Sequence, residues 1–256
     1  MSEAKLITLN VEMNYHLDTV IPFLERESPD MLCVQEVFEK DLEILKNRFG
    51  YNALFLPMCK RWYGKDNTPP IETEGIAILT KLPIIKSDNI YYHLASPQIE
   101  LYEEKRIDIK RKTIRYGLLW GTFQYNETEF TIGTTHFTWT PDGMPNEYQE
   151  TDIKALMEIL EKIPDLILCG DFNIPRNINH LYGVLAKKFK DNMPHKITTT
   201  LDMSMHKIRT NPTESKRVGT YVVDYIFSTP KYNVSNVRCE YGVSDHAAVI
   251  ADISKT

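Results

Sequence analysis

Short apolar runs recur along the chain, separated by polar turns. Several are apolar at nearly every position, which is typical of β-strands covered on both faces. The predicted strands are 6–11, 31–37, 75–81, 116–125, 129–137, 165–172, 221–227 and 247–253. The polar segment YNETE at 125–129 predicts a hairpin turn between two of them.

Helical periodicity lies between some of these strands. Apolar residues repeat at helical spacing over 17–24, 38–49 and 153–160. Asn146 is placed to cap the third helix, and Pro164 is placed to end it. Strands mixed with helices and hairpins predict an α/β fold.

We find no repeat and no linker, so we expect one domain over 1–256. The polar stretches 59–74 and 203–219 are predicted to be long loops, a kind of segment that is often functional. With 42% hydrophobic residues, the 256-residue chain can bury a sizeable core.

Charge and targeting signals limit the possible partners and location. The net charge is −5, so binding to nucleic acid would need a local basic patch. No apolar stretch is long enough to span a membrane, and no apolar leader is found, which predicts a cytoplasmic protein. The four dispersed cysteines are expected to be small buried residues rather than metal ligands or disulfides. The oligomeric state is open, with a monomer favoured.

Acid, amide and imidazole side chains stand at the ends of the predicted strands. One such residue alone would indicate a solvated strand end, but the whole set contains only four residue types. The set is Asn10, Glu36, Glu74, His136, Asp171, Asn173, Asp224, Asp245 and His246. The carboxylate and amide oxygens suit Mg²⁺ or Mn²⁺. Histidines near carboxylates can perform general acid–base catalysis.

Other common chemistries leave no motif. The sequence has no G-x-S-x-G nucleophile elbow, no phosphate-binding G-x-x-x-x-G-K-[ST] loop and no dinucleotide-binding G-x-G-x-x-G. The remaining reaction that suits these residues is attack by an activated water on phosphorus, assisted by a divalent metal.

Seven ordered motifs resemble those of the endonuclease/exonuclease/phosphatase superfamily, the DNase I-like group. They are LNVE, PDMLCVQEV, GIAILTK, TTHF, GDFNIP, VDYIF and SDHAAV, and they run in the family's order from Asn10 to His246. The resemblance implies a four-layer α/β sandwich of two packed mixed β-sheets flanked by helices. It also implies a divalent-metal-dependent phosphoric ester hydrolase.

The resemblance assigns metal and water roles position by position. Glu36 matches the principal metal ligand, with Asn10 beside it and a contribution expected from Asp245. Asp171 and Asn173 match the GD-x-N motif that positions the attacking water and the phosphate. The number of metal ions stays open.

The resemblance also assigns the histidines. His246 matches the catalytic histidine, and Asp224 matches the carboxylate that fixes its tautomer. His136 matches the second histidine of the DNase-like and sphingomyelinase-like branches, and we expect Glu74 to be its carboxylate partner. Either Asp171 or the Asp224–His246 pair takes the proton from water.

Basic and aromatic residues are candidates for substrate binding. The segment from Lys105 to Arg115 contains six basic residues and one acidic residue. This composition indicates either a solvated hairpin or a phosphate contact. We predict that Arg111 and Arg115 contact the phosphate. Arg115 matches a phosphate-binding arginine of the DNase branch. Trp139 lies three residues after His136 and could stack on a base or simply pack.

Three functions compete at this stage. The leading one is a nuclease or a phosphodiesterase that processes DNA ends. The second is a phospholipid (sphingomyelinase-like) or inositol-phosphate hydrolase. The third, remote alternative is a non-catalytic binding protein on the same fold, which usually accompanies loss of the metal glutamate or the catalytic histidine.

Overall fold

The structure is a computed structural model that describes residues 3–64, 68–95, 97–104 and 106–256. Lys105 of the predicted basic segment lies outside the described residues. In chain order, the elements are β1 (Ala4–Asn10), α1 (Leu17–Glu27), β2 (Met31–Phe38), α2 (Glu39–Phe49), β3 (Asn52–Gly64), β4 (Thr68–Thr80), β5 (Ile84–His93), α3 (Ile107–Thr113), β6 (Tyr116–Tyr125), β7 (Thr128–His136), α4 (Glu147–Leu160), β8 (Ile167–Asp171), α5 (Tyr182–Lys188), β9 (Lys190–Asp191), α6 (Pro212–Val218), β10 (Asp224–Ser228), β11 (Tyr232–Glu240) and β12 (Ala248–Lys255).

Over the described ranges the strands form two mixed six-stranded sheets. The first sheet has the order β11-β12-β1-β2-β4-β3, and the second has the order β5-β6-β7-β8-β10-β9. One buried cluster contains apolar residues from both sheets, such as Leu6 and Cys33 from the first and Leu118 and Ile132 from the second. Helix α4 adds Leu156 to it. The predicted α/β sandwich of two packed sheets flanked by helices is confirmed, and we propose that 1–256 form one domain.

A second buried cluster lies on the other face of the first sheet. Here Val20 and Phe23 of α1 and Leu42 of α2 pack with Ile7 and Val34 of the sheet. The apolar stripes predicted for these helices are therefore the surfaces that they bury. Helices α1 and α2 therefore cover the face of the first sheet that points away from the second sheet.

The helix cap predicted at Asn146 is observed. The side chain of Asn146 caps α4 by accepting hydrogen bonds from the backbone N–H groups of Tyr148 and Gln149, each at 3.1 Å. The prediction of a loop over 59–74 is wrong where the chain is described. Strands β3 and β4 extend through it as a paired hairpin, with Arg61 opposite Glu72. Periodicity missed this part because its residues are polar or only half-buried.

The stretch 203–219 was also predicted as a loop. It contains a 3₁₀ turn over Lys207–Thr210 and the short helix α6. The side chain of Asn211 caps α6 by accepting a hydrogen bond from the N–H of Glu214, and Pro212 occupies the first turn. A helix of only 7 residues is too short to show a clear apolar periodicity.

Two parallel strand pairs position the polar strand ends. In the first sheet β1 and β2 run parallel, with Asn10 opposite Gln35 at their carboxyl ends. In the second sheet β7 and β8 run parallel, with His136 opposite Asp171. Because the sheets pack face to face, these ends meet on one side of the molecule.

Among the described residues, no helix combines the length and apolar character needed to cross a membrane. The cytoplasmic location and the monomeric state stay predictions.

Candidate active site

Three of the predicted catalytic residues form one row across the second sheet. Asp171 at the end of β8 pairs in register with His136 of β7 on one side and with Asp224 of β10 on the other. His246 precedes β12 and enters from the first sheet. Its Nδ1 lies 2.9 Å from Asp224 Oδ2, and its Nε2 lies 3.8 Å from Asp171 Oδ2. A histidine is thus held between two carboxylates.

Glu36 is aimed into the site by an irregularity of β2. The register of β2 against β4 shifts between Val34 and Val37, and Glu36 adopts a left-handed backbone conformation with φ of 55°. A bulge of this kind redirects one side chain, and such a conformation costs roughly 1–3 kcal/mol for a residue other than glycine. Glu36 Oε1 lies 3.7 Å from His136 Nε2.

Asn10 connects the two carboxylates. Its amide nitrogen donates to Glu36 Oε1 and to Asp171 Oδ2, each at 3.2 Å. Its amide oxygen instead accepts the backbone N–H of Glu12 at 3.1 Å. In this arrangement Asn10 orients Glu36 and Asp171, and its oxygen faces away from them. We name Asn10, Glu36, His136, Asp171, Asp224 and His246 the central cluster.

The segment that carries Asp171 and Asn173 depends on a glycine. Gly170 has φ of 133°, and a Cβ there would lie 2.1 Å from the carbonyl oxygen of Thr135. The backbone N–H of Asn173 donates to Asp171 Oδ1 at 2.8 Å, and the Asn173 amide donates to the Phe137 carbonyl at 3.0 Å. Phe172 between them is fully buried, so the two polar side chains stand on a packed base.

Burial and neighbouring charges shift the pKa values of residues in the central cluster. Burial raises the pKa of Glu36, but the charge of His136, the charge of Arg61 and the Asn10 amide outweigh it and lower that pKa to about 2. Burial raises the pKa of Asp171, against the charge of His246. Burial lowers the pKa of His246, but Asp224 and Asp171 hold it well above its usual value. The cluster therefore contains an ionised glutamate and a protonated histidine.

Asp245 belongs to a neighbouring group that the sequence analysis did not assemble. Ligand atoms of Glu12, His16 and Asp245 lie within 4.8 Å of one another. His16 Nε2 is 2.8 Å from Glu12 Oε2. Burial, with Glu12 and Glu36 nearby, raises the pKa of Asp245 to about 7. His206 also reaches this group, with Nε2 3.9 Å from Asp245 Oδ2.

Glu74 has a different partner from the one predicted. It is fully buried in β4 and forms an ion pair with Arg61 of β3. The ion-pair partners of His136 within the described ranges are Glu36 and Asp171, and no hydrogen-bond partner for His136 Nδ1 is found there. Glu74 and Arg61 can pair because they lie on the adjacent antiparallel strands β4 and β3.

The predicted contacts Arg111 and Arg115 do not line the cleft that holds the central cluster. Arg111 donates to both oxygens of Asp152 on α4, at 2.6 and 2.7 Å. The guanidinium of Arg115 is buried against the carbonyl of Gln98 and the hydroxyl of Tyr91. Arg111 is therefore paired with an acid inside the protein, and Arg115 is buried against neutral acceptors.

The cleft itself encloses about 1280 Å³. Trp139 lines it, as expected. Sequence reasoning missed other lining residues, which are Glu12, His16, Arg61, Lys110 and His206. Arg61 and His206 lie in stretches predicted to be loops, and Lys110 had no signal that distinguished it from its basic neighbours. A cleft of this size exceeds a typical small-molecule pocket.

Comparison with known protein families identifies the family of this chain. The profile of the Endonuclease/Exonuclease/phosphatase family matches residues 7–246, a span that contains the whole central cluster. The chain belongs to that family. Members of the endonuclease/exonuclease/phosphatase family are divalent-metal-dependent phosphoesterases in general, so the chain is assigned to this broad class of hydrolases.

Solved structures of the endonuclease/exonuclease/phosphatase family share the fold at low identity. A family member from Beutenbergia cavernae DSM 12333 is 16% identical, with a TM-score of 0.69, over 100% of this chain and 72% of that one. The human Nocturnin catalytic domain with bound sulfate is 19% identical, with a TM-score of 0.69, over 99% and 94%. D. rerio TDP2 complexed with a single-strand DNA product is 17% identical, with a TM-score of 0.68, over 100% of both chains. None of the curated proteins matches the sequence.

The donor set fits the divalent metal that the family requires. The Glu36 carboxylate is ionised at neutral pH and faces the cleft. Asp245 offers a second carboxylate on the same cleft wall. Oxygen donors of this kind bind hard divalent cations. The described residues also include two acidic and histidine groups whose ligand atoms lie within 4.8 Å of one another: Glu12 with His16 and Asp245, and Asp171 with Asp224 and His246.

Proposed function

We propose that this protein is a Mg²⁺- or Mn²⁺-dependent phosphodiesterase that acts on nucleic acid, by attack of water on phosphorus. The observation that supports this most directly is the placement of His246 between Asp224 and Asp171, beside the ionised Glu36, in one open cleft. Such a cluster has the groups needed to move a proton and to bind a phosphate at one place.

The proposed proton transfers use Asp171 and His246. Nδ1–H of His246 donates to Asp224, so Nε2 is directed toward Asp171. Asp171 already accepts the Asn10 amide and the Asn173 backbone N–H, which keeps the carboxylate oriented to accept a proton from water. His246 then donates Nε2–H to a phosphate oxygen or to the leaving oxygen, and Asp224 stabilises the imidazolium.

The remaining groups stabilise charge on the phosphate. Nε2 of His136, 3.6 Å from Asp171 Oδ2, is placed to donate to a non-bridging oxygen. The Asn173 amide uses one N–H for the Phe137 carbonyl and has a second N–H for the substrate. A divalent ion held by Glu36, and in our proposal also by Asp245, adds positive charge at these oxygens when bound.

The walls of the cleft carry side chains that can bind a nucleic acid. Lys110, Arg61 and Arg209 line it together with Trp62 and Trp139. Cations beside aromatic faces suit a phosphate backbone with unpaired bases.

An activity panel tests the proposal. With Mg²⁺ or Mn²⁺ it would contain single- and double-stranded DNA, abasic DNA, RNA, a 5′-tyrosyl oligonucleotide, sphingomyelin and inositol phosphates. We expect turnover of at least one nucleic acid. We expect His246→Ala and Asp171→Ala each to lower kcat by roughly 10²–10⁴-fold while the fold is kept.

The control is His180→Ala, because His180 is exposed and outside the cleft lining. It should keep wild-type turnover. Turnover of a lipid or an inositol phosphate with inactivity on every nucleic acid would overturn the substrate assignment. Inactivity on the whole panel together with no divalent-metal binding would favour a binding protein instead.

A further inference from the structure

Lys110 presents an ammonium group to the cleft and forms no ion pair with an acid of the described residues. Its Nζ lies 4.0 Å from the centre of the Trp139 ring and 5.4 Å from that of Tyr102. Within the described ranges, no carboxylate oxygen lies within 4.0 Å of it. A partly buried cation held only by aromatic faces has lost hydration without gaining an anion.

A second cation increases the demand for an anion at this place. The guanidinium of Arg61 lies 3.6 Å from the centre of the Tyr102 ring, so Arg61 and Lys110 both contact Tyr102. Arg61 forms an ion pair with Glu74, while Lys110 has no such pair among the residues that the structure describes. Burial and the charge of Arg61 lower the pKa of Lys110 to about 8. We name Arg61, Tyr102, Lys110 and Trp139 the Lys110 subsite.

The subsite is rigidly anchored through one buried carboxylate. Asp152 accepts two hydrogen bonds from Arg111, which follows Lys110 in α3, and one at 2.5 Å from Thr138, which precedes Trp139. The helix with the cation and the segment with the indole are therefore held together before any ligand arrives.

We infer that the Lys110 subsite binds a second phosphate of the substrate, next to the one that is cleaved, and that Trp139 stacks on the adjoining base. The substrate class is therefore a single-stranded oligonucleotide rather than an isolated phosphodiester. Trp139 is 42% exposed, so part of its indole is open to a base. This inference rests on the proposed function, since the central cluster must hold the reacting phosphate.

The test compares Lys110→Gln with Lys112→Gln. Both lysines lie in α3, but Lys112 is exposed and outside the cleft lining, which makes it the matched control. Two substrates are used with each variant: single-stranded hexathymidylate, which has several phosphates, and bis(p-nitrophenyl) phosphate, which has one.

We expect Lys110→Gln to raise KM for the oligonucleotide at least tenfold, with kcat and the turnover of bis(p-nitrophenyl) phosphate within twofold of wild type. Trp139→Ala should also raise KM for the oligonucleotide, and Lys112→Gln should change neither substrate. In EDTA, the slope of log Kd for the oligonucleotide against log salt should fall by about 0.7 in Lys110→Gln, as for the loss of one single-strand phosphate contact.

Other outcomes separate the two proposals. Equal effects of the two lysine substitutions, or an equal loss on both substrates, would overturn the subsite. If wild-type protein hydrolyses neither substrate yet binds the oligonucleotide in EDTA with a slope that depends on Lys110, the proposed function fails and the subsite stands. A fall in melting temperature in Lys110→Gln would indicate a structural role and count against binding.

Discussion

The buried carboxylate of Asp152 is expected to be important for stability, although Asp152 is not part of the central cluster. Its side chain is 1% exposed, and that of its partner Arg111 is 15% exposed. In Asp152→Asn the guanidinium would keep an acceptor oxygen but lose the opposing charge. Removing one member of a buried ion pair costs about 3–5 kcal/mol of unfolding free energy. We expect the lower end, about 3 kcal/mol, because Arg111 keeps some solvent.

For a chain of this size, that loss corresponds to a fall in Tm of roughly 6–12 °C. Calorimetry on wild type and Asp152→Asn measures it directly. The matched control is Asp108→Asn, which breaks the Arg106–Asp108 pair, whose side chains are 69% and 41% exposed. We expect that control to lose less than about 1 kcal/mol.

A double variant sharpens the assay. Arg111→Met combined with Asp152→Leu replaces both charges with apolar groups, and it should lose less stability than Asp152→Asn alone. A Tm for Asp152→Asn that falls no further than that of Asp108→Asn would refute the reasoning. So would an unchanged KM for hexathymidylate, because Asp152 also holds Lys110 against Trp139.

Two other predictions concern the metal and the pH dependence. Glu36→Gln should weaken Mn²⁺ binding in calorimetry more than tenfold, because it removes the ionised carboxylate. Unchanged affinity in that variant would assign the ion to other ligands. Below about pH 8 Lys110 is charged, so KM for hexathymidylate should rise as pH increases through 8, and the step should vanish in Lys110→Gln. Burial comes first among the causes of this lowered pKa; Arg61 and Lys207 also lower it, while Glu104 and Glu36 raise it. Since the usual pKa of 10.5 applies to the unfolded chain, wild type should also gain stability relative to Lys110→Gln between pH 8 and 10.5, measurable by urea unfolding.

The placement of the central cluster could be predicted because each residue follows or precedes a strongly apolar strand. Apolar runs identify such strands, and the ends of parallel strands share an edge of a sheet. Asp171 and His136 illustrate this, since register alone makes them neighbours. The roles of individual residues in the cluster stay proposals.

The surroundings of the cluster could not be predicted in the same way. Nothing near Arg111 in sequence reveals that Asp152, 41 positions later, neutralises it. Glu74 was assigned by its position before an apolar run, but the facing strand β3 places Arg61 beside it. Arg61 and Lys110 are connected by their shared contact with Tyr102. No spacing pattern in the sequence links Tyr102 to either residue. Such pairings depend on tertiary packing between segments that local pattern does not connect.

The order of strands in the first sheet has a consequence for synthesis of the protein. Strand β12 lies between β11 and β1, so the edge of β1 has no partner until the last strands have left the ribosome. An unpaired strand edge is prone to intermolecular pairing. His246 reaches the site in the same late step, because it directly precedes β12. A nascent or truncated chain that stops before this point would lack His246 and expose that edge. Under the proposed mechanism such a chain would be inactive, and its open edge would make it a target for chaperones.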